Sequence, residues 1–166
     1  MTPEDKELLL KDLCARLPYN VIVDYDYNAF DVHNGNYVKH GSKCILNCYL
    51  LDVFISPRQN EKGEYIKPYL RSLSSMSEKE AKEIATLHGL KNILSVKITD
   101  ESIDVIIDDG VSSIKIITLW YDELVTSIEC FDWLNKYYFD YRGLIPKGLA
   151  NAVTKENNLY KYFLKC

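Results

Sequence analysis

Leu9, Leu10, Leu13, Cys14 and Leu17 recur at helical spacing before Pro18, which predicts an amphipathic helix of about four turns. Thr2-Pro3-Glu4-Asp5 marks its start. Thr2 offers a capping oxygen, Pro3 suits the first helical position, and the two acids complement the positive end of the helix dipole. From residue 21 to 55 the pattern turns to β. Residues 21–23 form a short apolar strand, and Asn34-Gly35 between Phe30/Val32 and Tyr37/Val38 signals a two-residue hairpin. Residues 44–55 are apolar and β-branched enough for a buried strand ended by Pro57. Residues 59–63 read as a turn, and Tyr65-Ile66 as a brief strand leading to Pro68.

Ser77-Glu78-Lys79-Glu80 matches a capping box, opening a middle helix at about 77–89 that carries Ala81, Ile84, Ala85, Leu87 and His88 and stops at Gly89. Leu94, Val96 and Ile98 then alternate, as do Ile103, Val105 and Ile107, and Ile114 and Ile116. With breaks at 99–101 and 108–110, this is a three-stranded meander. A last helix is expected at about 119–138, with Leu124, Ile128, Phe131 and Leu134 on its core face and Trp133 buried beside them. Residues 150–166 read as a less ordered tail. Strands group in runs rather than alternating singly with helices, so the expected fold class is α+β, a single domain over 1–166 with mostly antiparallel sheet.

Composition narrows the function classes. The chain has 166 residues, 47% hydrophobic and 27% charged, with a net charge of −4; no apolar run reaches the roughly 20 residues that span a bilayer. That charge disfavours double-stranded nucleic acid as a partner. It is unevenly spread, however. Residues 1–132 hold 14 Lys and Arg against 22 Asp and Glu, and residues 133–166 hold six against two, so an acidic body of −8 carries a basic, aromatic last fifth of +4. Five cysteines at 14, 44, 48, 130 and 166 form no CxxC pair, and Met1-Thr-Pro-Glu-Asp lacks the features of a signal peptide, so free thiols in the cytoplasm are expected.

Three segments carry a resemblance: residues 6–19 (KELLLKDLCARLPY), residues 67–78 (KPYLRSLSSMSE), and Phe131-Asp-Trp-Leu-Asn through Phe139-Asp-Tyr-Arg-Gly-Leu-Ile145. They resemble a family of small uncharacterised proteins common in gut Bacteroides-type bacteria, their prophages and related phages. The resemblance implies a phage or mobile-element setting and life in the host cytoplasm. It transfers no catalytic residue.

Motifs with a mechanism dissolve on inspection. Gly143 to Gly148 has phosphate-loop glycine spacing, yet Leu149 and Ala150 stand where Lys and Ser/Thr belong. His33, His40, Cys44 and Cys48 offer zinc ligands, but the cysteine pair falls in the expected strand, where i and i+4 lie far apart, so no metal is expected. Ser112-x-x-Lys115 sits in a strand pattern rather than on the helix turn a Ser/Lys nucleophile needs, and no local context selects a Cys/His pair. Asp100, Glu101, Asp104, Asp108 and Asp109 line the meander as its solvent face, with a second use as an acidic surface for a basic partner.

The aromatic and basic block is the remaining candidate. Tyr137, Tyr138, Tyr141, Arg142, Lys147, Tyr160, Lys161 and Tyr162 combine ring faces with cations, which suits stacking and phosphate contact. Tyr138, Tyr141, Arg142 and Lys147 are the residues selected for ligand or partner binding. The competing use of the block is structural, with Phe131, Trp133, Leu134, Phe139 and Leu144 filling the core. The sequence thus assigns no catalytic residue, cofactor or metal. It favours a cytoplasmic binding module, an inhibitor or sponge whose partner is a host protein or a small anionic ligand such as a nucleotide. Beside it stand a small metal-dependent hydrolase or nuclease using the meander carboxylates, and a structural subunit that self-assembles into a homo-oligomer.

Overall fold

The computed structural model describes residues 1–55, 65–111 and 113–160; the 59–63 turn, Ser112, Lys161 and Tyr162 lie outside them. The fold is α+β, with two mostly antiparallel sheets. The chain forms two compact units, residues 1–70 with those from 142 onward, and residues 71–141.

In the first unit, helix α1 (Pro3–Arg16) begins as its sequence dictates: Thr2 accepts from the Asp5 N–H, and Asp5 accepts in return from Thr2. Strands β1 (Ile22–Asp31) and β2 (Asn36–Ile45), ten residues each, form a hairpin. Its loop holds four residues rather than two, because Asp31 pairs with Asn36 and only Gly35 takes a positive φ, +65°. A two-residue type I′ turn would need two such residues. Strand β3 (Tyr65–Leu70) joins β1 antiparallel, and the short β7 (Asn151–Ala152) joins β3 parallel, giving the order β2-β1-β3-β7.

The buried strand expected over 44–55 is corrected. Strand β2 ends at Ile45, and Cys48–Ile55 is a helix, α2. Asn47 accepts from the Leu50 N–H at 3.0 Å, capping the new helix. Leu50, Leu51 and Phe54 then face inward at helical spacing. The apolar run was too short for its period to separate the two states.

The second unit opens with α3 (Glu78–Leu87), closed by both halves of the Ser77/Glu80 capping box. The meander follows as β4 (Ile93–Ile98), β5 (Ser102–Asp108) and β6 (Ile114–Trp120). The last helix, α4, is Ile128–Lys136 and not 119–138. Leu119 and Trp120 continue the alternation of β6, and Ser127 caps the helix through the Cys130 N–H. The later start also corrects the core face at Ile128, which is exposed, while Trp133 is partly buried and packs against the core. Ala81, Ile84, Ala85, Ile103, Val105, Leu124, Cys130, Leu134 and Phe139 make the core.

Arg71 ties this unit together by donating to both Glu80 oxygens, at 2.6 and 3.0 Å. Burial pushes the Glu80 carboxyl up, but the Arg71 bonds and the Ser77 donors outweigh it and hold it down at about 2 against an ordinary 4.5. A carboxylate depressed in the folded state stabilises above its unfolded value and loses that stabilisation as pH falls through the folded one. Acid titration of unfolding should therefore show a loss of about 2–3 kcal/mol from pH 5 down to about 2. That slope should be shallower in Glu80→Gln, and an identical slope in both proteins would refute the assignment.

Candidate functional site

The four residues selected from the sequence fall in different places. Tyr138 terminates α4 in the left-handed region, φ +62°, with its side chain buried and its carbonyl accepting from the Arg71 N–H at 2.8 Å. Burial pushes its hydroxyl up from the ordinary value. Tyr141 donates to Asn135 Oδ1 at 3.1 Å and meets Phe131 edge-on. Both belong to the second unit. Arg142 belongs to the first, where its Nε lies 3.5 Å from the fully buried Asp12 carboxylate. Lys147 alone is exposed and lines a cavity.

That cavity, of about 340 Å³, lies entirely in the first unit. Its floor is apolar, made by Leu9 of α1, Ile66 of β3 and Leu149, all buried. Lys67 and Lys147 supply cations. The turn over 144–149 explains the second of these. Leu149 N–H returns to Leu144 O at 2.9 Å and Gly148 N–H to Ile145 O at 2.9 Å, so Leu149 tucks under while Lys147 stays outside. Gly148 holds φ +69°, which a side chain would resist. Asp5, the acid on this wall, is committed to the cap of α1.

Lys67 also lines a second, polar cavity of about 350 Å³ with Asp24, Asp26, Lys39 and Asn151. The sheet register brings these five together from four strands. Asp24 Oδ2 accepts from the Tyr69 hydroxyl at 2.7 Å and from Asn151 Nδ2 at 2.8 Å. Asp26 pairs with Lys39 at 2.8 Å. Gly41 leaves room for Asp26, since a Cβ there would sit 3.0 Å from its Oδ1. Lys43 stands over the Tyr69 ring, and its bond to that hydroxyl pushes its ammonium up; burial pushes the Tyr69 hydroxyl up as well. Both acids are thus engaged within the sheet, whereas among the described residues neither Lys67 nor Lys147 has an ion-pair partner.

The other sequence candidates do not assemble. His33 lies in the hairpin loop, His40 within β2, Cys44 near its end and Cys48 at the first residue of α2; among the described residues no three His, Cys, Asp or Glu side chains could hold a metal. The meander carboxylates serve their own turns and strand neighbours. Asp108 accepts from the Gly110 N–H, Asp109 from the Val111 N–H and Ser113, and Asp104 from Thr118. A broader hollow of about 890 Å³ along α3 ends at Trp133, but its Lys82 and Lys79 already face Glu78 and Glu83.

Sequence reasoning missed Lys67, Asp24, Asp26, Lys39 and Asn151, because strand register joins them over separations that local patterns do not encode. The one local signal was Lys67, the only charged residue in the strand Tyr65–Leu70. Set against known proteins, the chain matches no family model, no curated protein and no solved structure.

Proposed function

We propose that this chain is a non-catalytic binding module that holds a small anionic ligand in the cleft of Lys67 and Lys147. The observation that carries the reading is that two lysines without ion-pair partners among the described residues line one cavity above an apolar floor. Its volume falls at the small end of ligand pockets, roughly 300–1,000 Å³. The fitting chemistry is a phosphate or carboxylate on a compact body with an apolar face, of which a nucleotide is one example. In a phage or mobile-element setting, such a protein acts by sequestering that ligand. The hydrolase reading has less support, because the meander carboxylates are spread along β5 and its turns.

Calorimetric titration with nucleoside monophosphates, dinucleotides and inorganic phosphate tests the proposal. At least one probe should bind, more weakly as salt rises. Two charge-assisted contacts of about 1.5–3 kcal/mol each imply that Lys67→Gln with Lys147→Gln weakens binding by roughly 100-fold or more. The fold should persist, since Lys147 is exposed and Lys67 half-buried. No binding across the panel, or equal binding by the double variant, overturns the proposal.

A further inference from the structure

Strand β6 is an edge of the β4-β5-β6 sheet, and no other described strand pairs with its outer side. Proteins usually guard such edges with bulges, prolines or charges. The opposite edge is guarded: β4 carries a register shift between Ile93 and Ser95, and Lys97 near its end. β6 pairs with β5 in unbroken register over all seven residues and holds one charge, Lys115, offset by Asp109 at 3.3 Å. On the sheet face turned away from the unit's core, Ile114, Ile116 and Trp120 stand 70%, 67% and 47% exposed. An unguarded edge beside an exposed apolar row marks an interaction surface.

The charge around it selects the partner. Asp104 and Asp108 share that face on β5, and Glu101, Asp122 and Glu123 lie at the Trp120 end. Residues 71–141 carry 13 acids against seven Lys and Arg. We infer that β6 receives an extended segment of a partner protein in which apolar residues alternate with Lys or Arg, added to the sheet as a fourth strand. Main-chain hydrogen bonds supply the pairing, apolar side chains cover Ile114, Ile116 and Trp120, and the basic ones, which alternation turns to the face opposite Asp104 and Asp108, are drawn by the excess of acids over residues 71–141. A second copy of this chain fits worse, since it would set the same acids against one another. The surface lies in the second unit, so this inference and the anion cleft stand or fall separately.

The test uses the full chain and a fluorescently labelled peptide, Lys-Val-Lys-Val-Lys-Val-Lys, followed by anisotropy. Binding is expected. N-methylation of one alternating set of backbone nitrogens should weaken it at least tenfold while the other set leaves it intact, as a strand with a single paired edge requires. A Glu-Val peptide of the same length should bind at least tenfold more weakly, and so should the parent peptide to Ile116→Lys protein of unchanged melting temperature. Equal binding by both N-methylated peptides, by the Glu-Val peptide, or by the Ile116→Lys protein overturns the inference. So does a wild-type dimer in sedimentation that Ile116→Lys converts to monomer, because a second copy would then occupy the edge.

Discussion

Replacing Asp12 with alanine is expected to cost about 3–5 kcal/mol, a large part of the stability of a domain this size. Asp12 and Arg16 are both fully buried, four residues apart on α1. Arg16 grips the carboxylate with two donors, Nε to Oδ2 at 2.7 Å and Nη2 to Oδ1 at 3.0 Å, and Arg142 approaches from the last quarter of the chain. Alanine leaves the buried guanidinium without its counter-charge, and that penalty dominates the loss. Urea unfolding followed by circular dichroism reads it directly. Asp12→Leu combined with Arg16→Met should recover most of the deficit, because an apolar pair of similar volume replaces a buried ion pair at little cost. A wild-type midpoint for Asp12→Ala would show that Arg16 reaches solvent. Arg142→Ala should lose only about 1–2 kcal/mol, since its contact is longer and partly exposed.

The second large effect belongs to Phe139. Its ring is fully buried, stacked on Trp133 at 5.6 Å and covered by the Arg71 guanidinium at 4.3 Å. Phe139→Ala should cost about 3–5 kcal/mol, the range for emptying a closed aromatic site. Trp133→Ala should cost less, about 2 kcal/mol, because its ring is only partly buried and loses chiefly its Nε1–H bond to Glu83 and its stacking. Paired denaturation curves decide the order. If Trp133→Ala proves the costlier change, the core is centred on α4 rather than on the segment after it.

Elements whose ends are written in local chemistry were legible in the chain. The capping boxes at Thr2 and Ser77 fixed α1 and α3, and strict alternation at Ile103, Val105 and Ile107 fixed β5. Helix α2 was not, because Leu50, Leu51, Val53 and Phe54 satisfy either period over eight residues. The site was legible only at Lys147. Arg142 looked equally suited to a phosphate, yet a buried carboxylate 130 positions earlier claims it, and no window of sequence reveals that pairing. Lys67 and Asn151 become neighbours of Asp24 through an antiparallel and a parallel pairing, both set by tertiary packing.

The discontinuity of the first unit bears on how the protein is born. Its sheet is finished by β7, by the Val153 N–H on Leu70 O, and by Tyr160, whose hydroxyl joins Ile22 N–H to Tyr69 O. A ribosome delivers these groups only after the whole of residues 71–141 has emerged. At translation rates of about 5–20 residues per second, the first three strands wait roughly 4–16 s for their closure. The second unit is continuous, and the Arg71–Phe139 bridge brings its two ends together, so it can fold within that interval. Until Asn151 emerges, Asp24 lacks its donor and β3 presents a bare flank, a form of this chain exposed to chaperones and to misassembly.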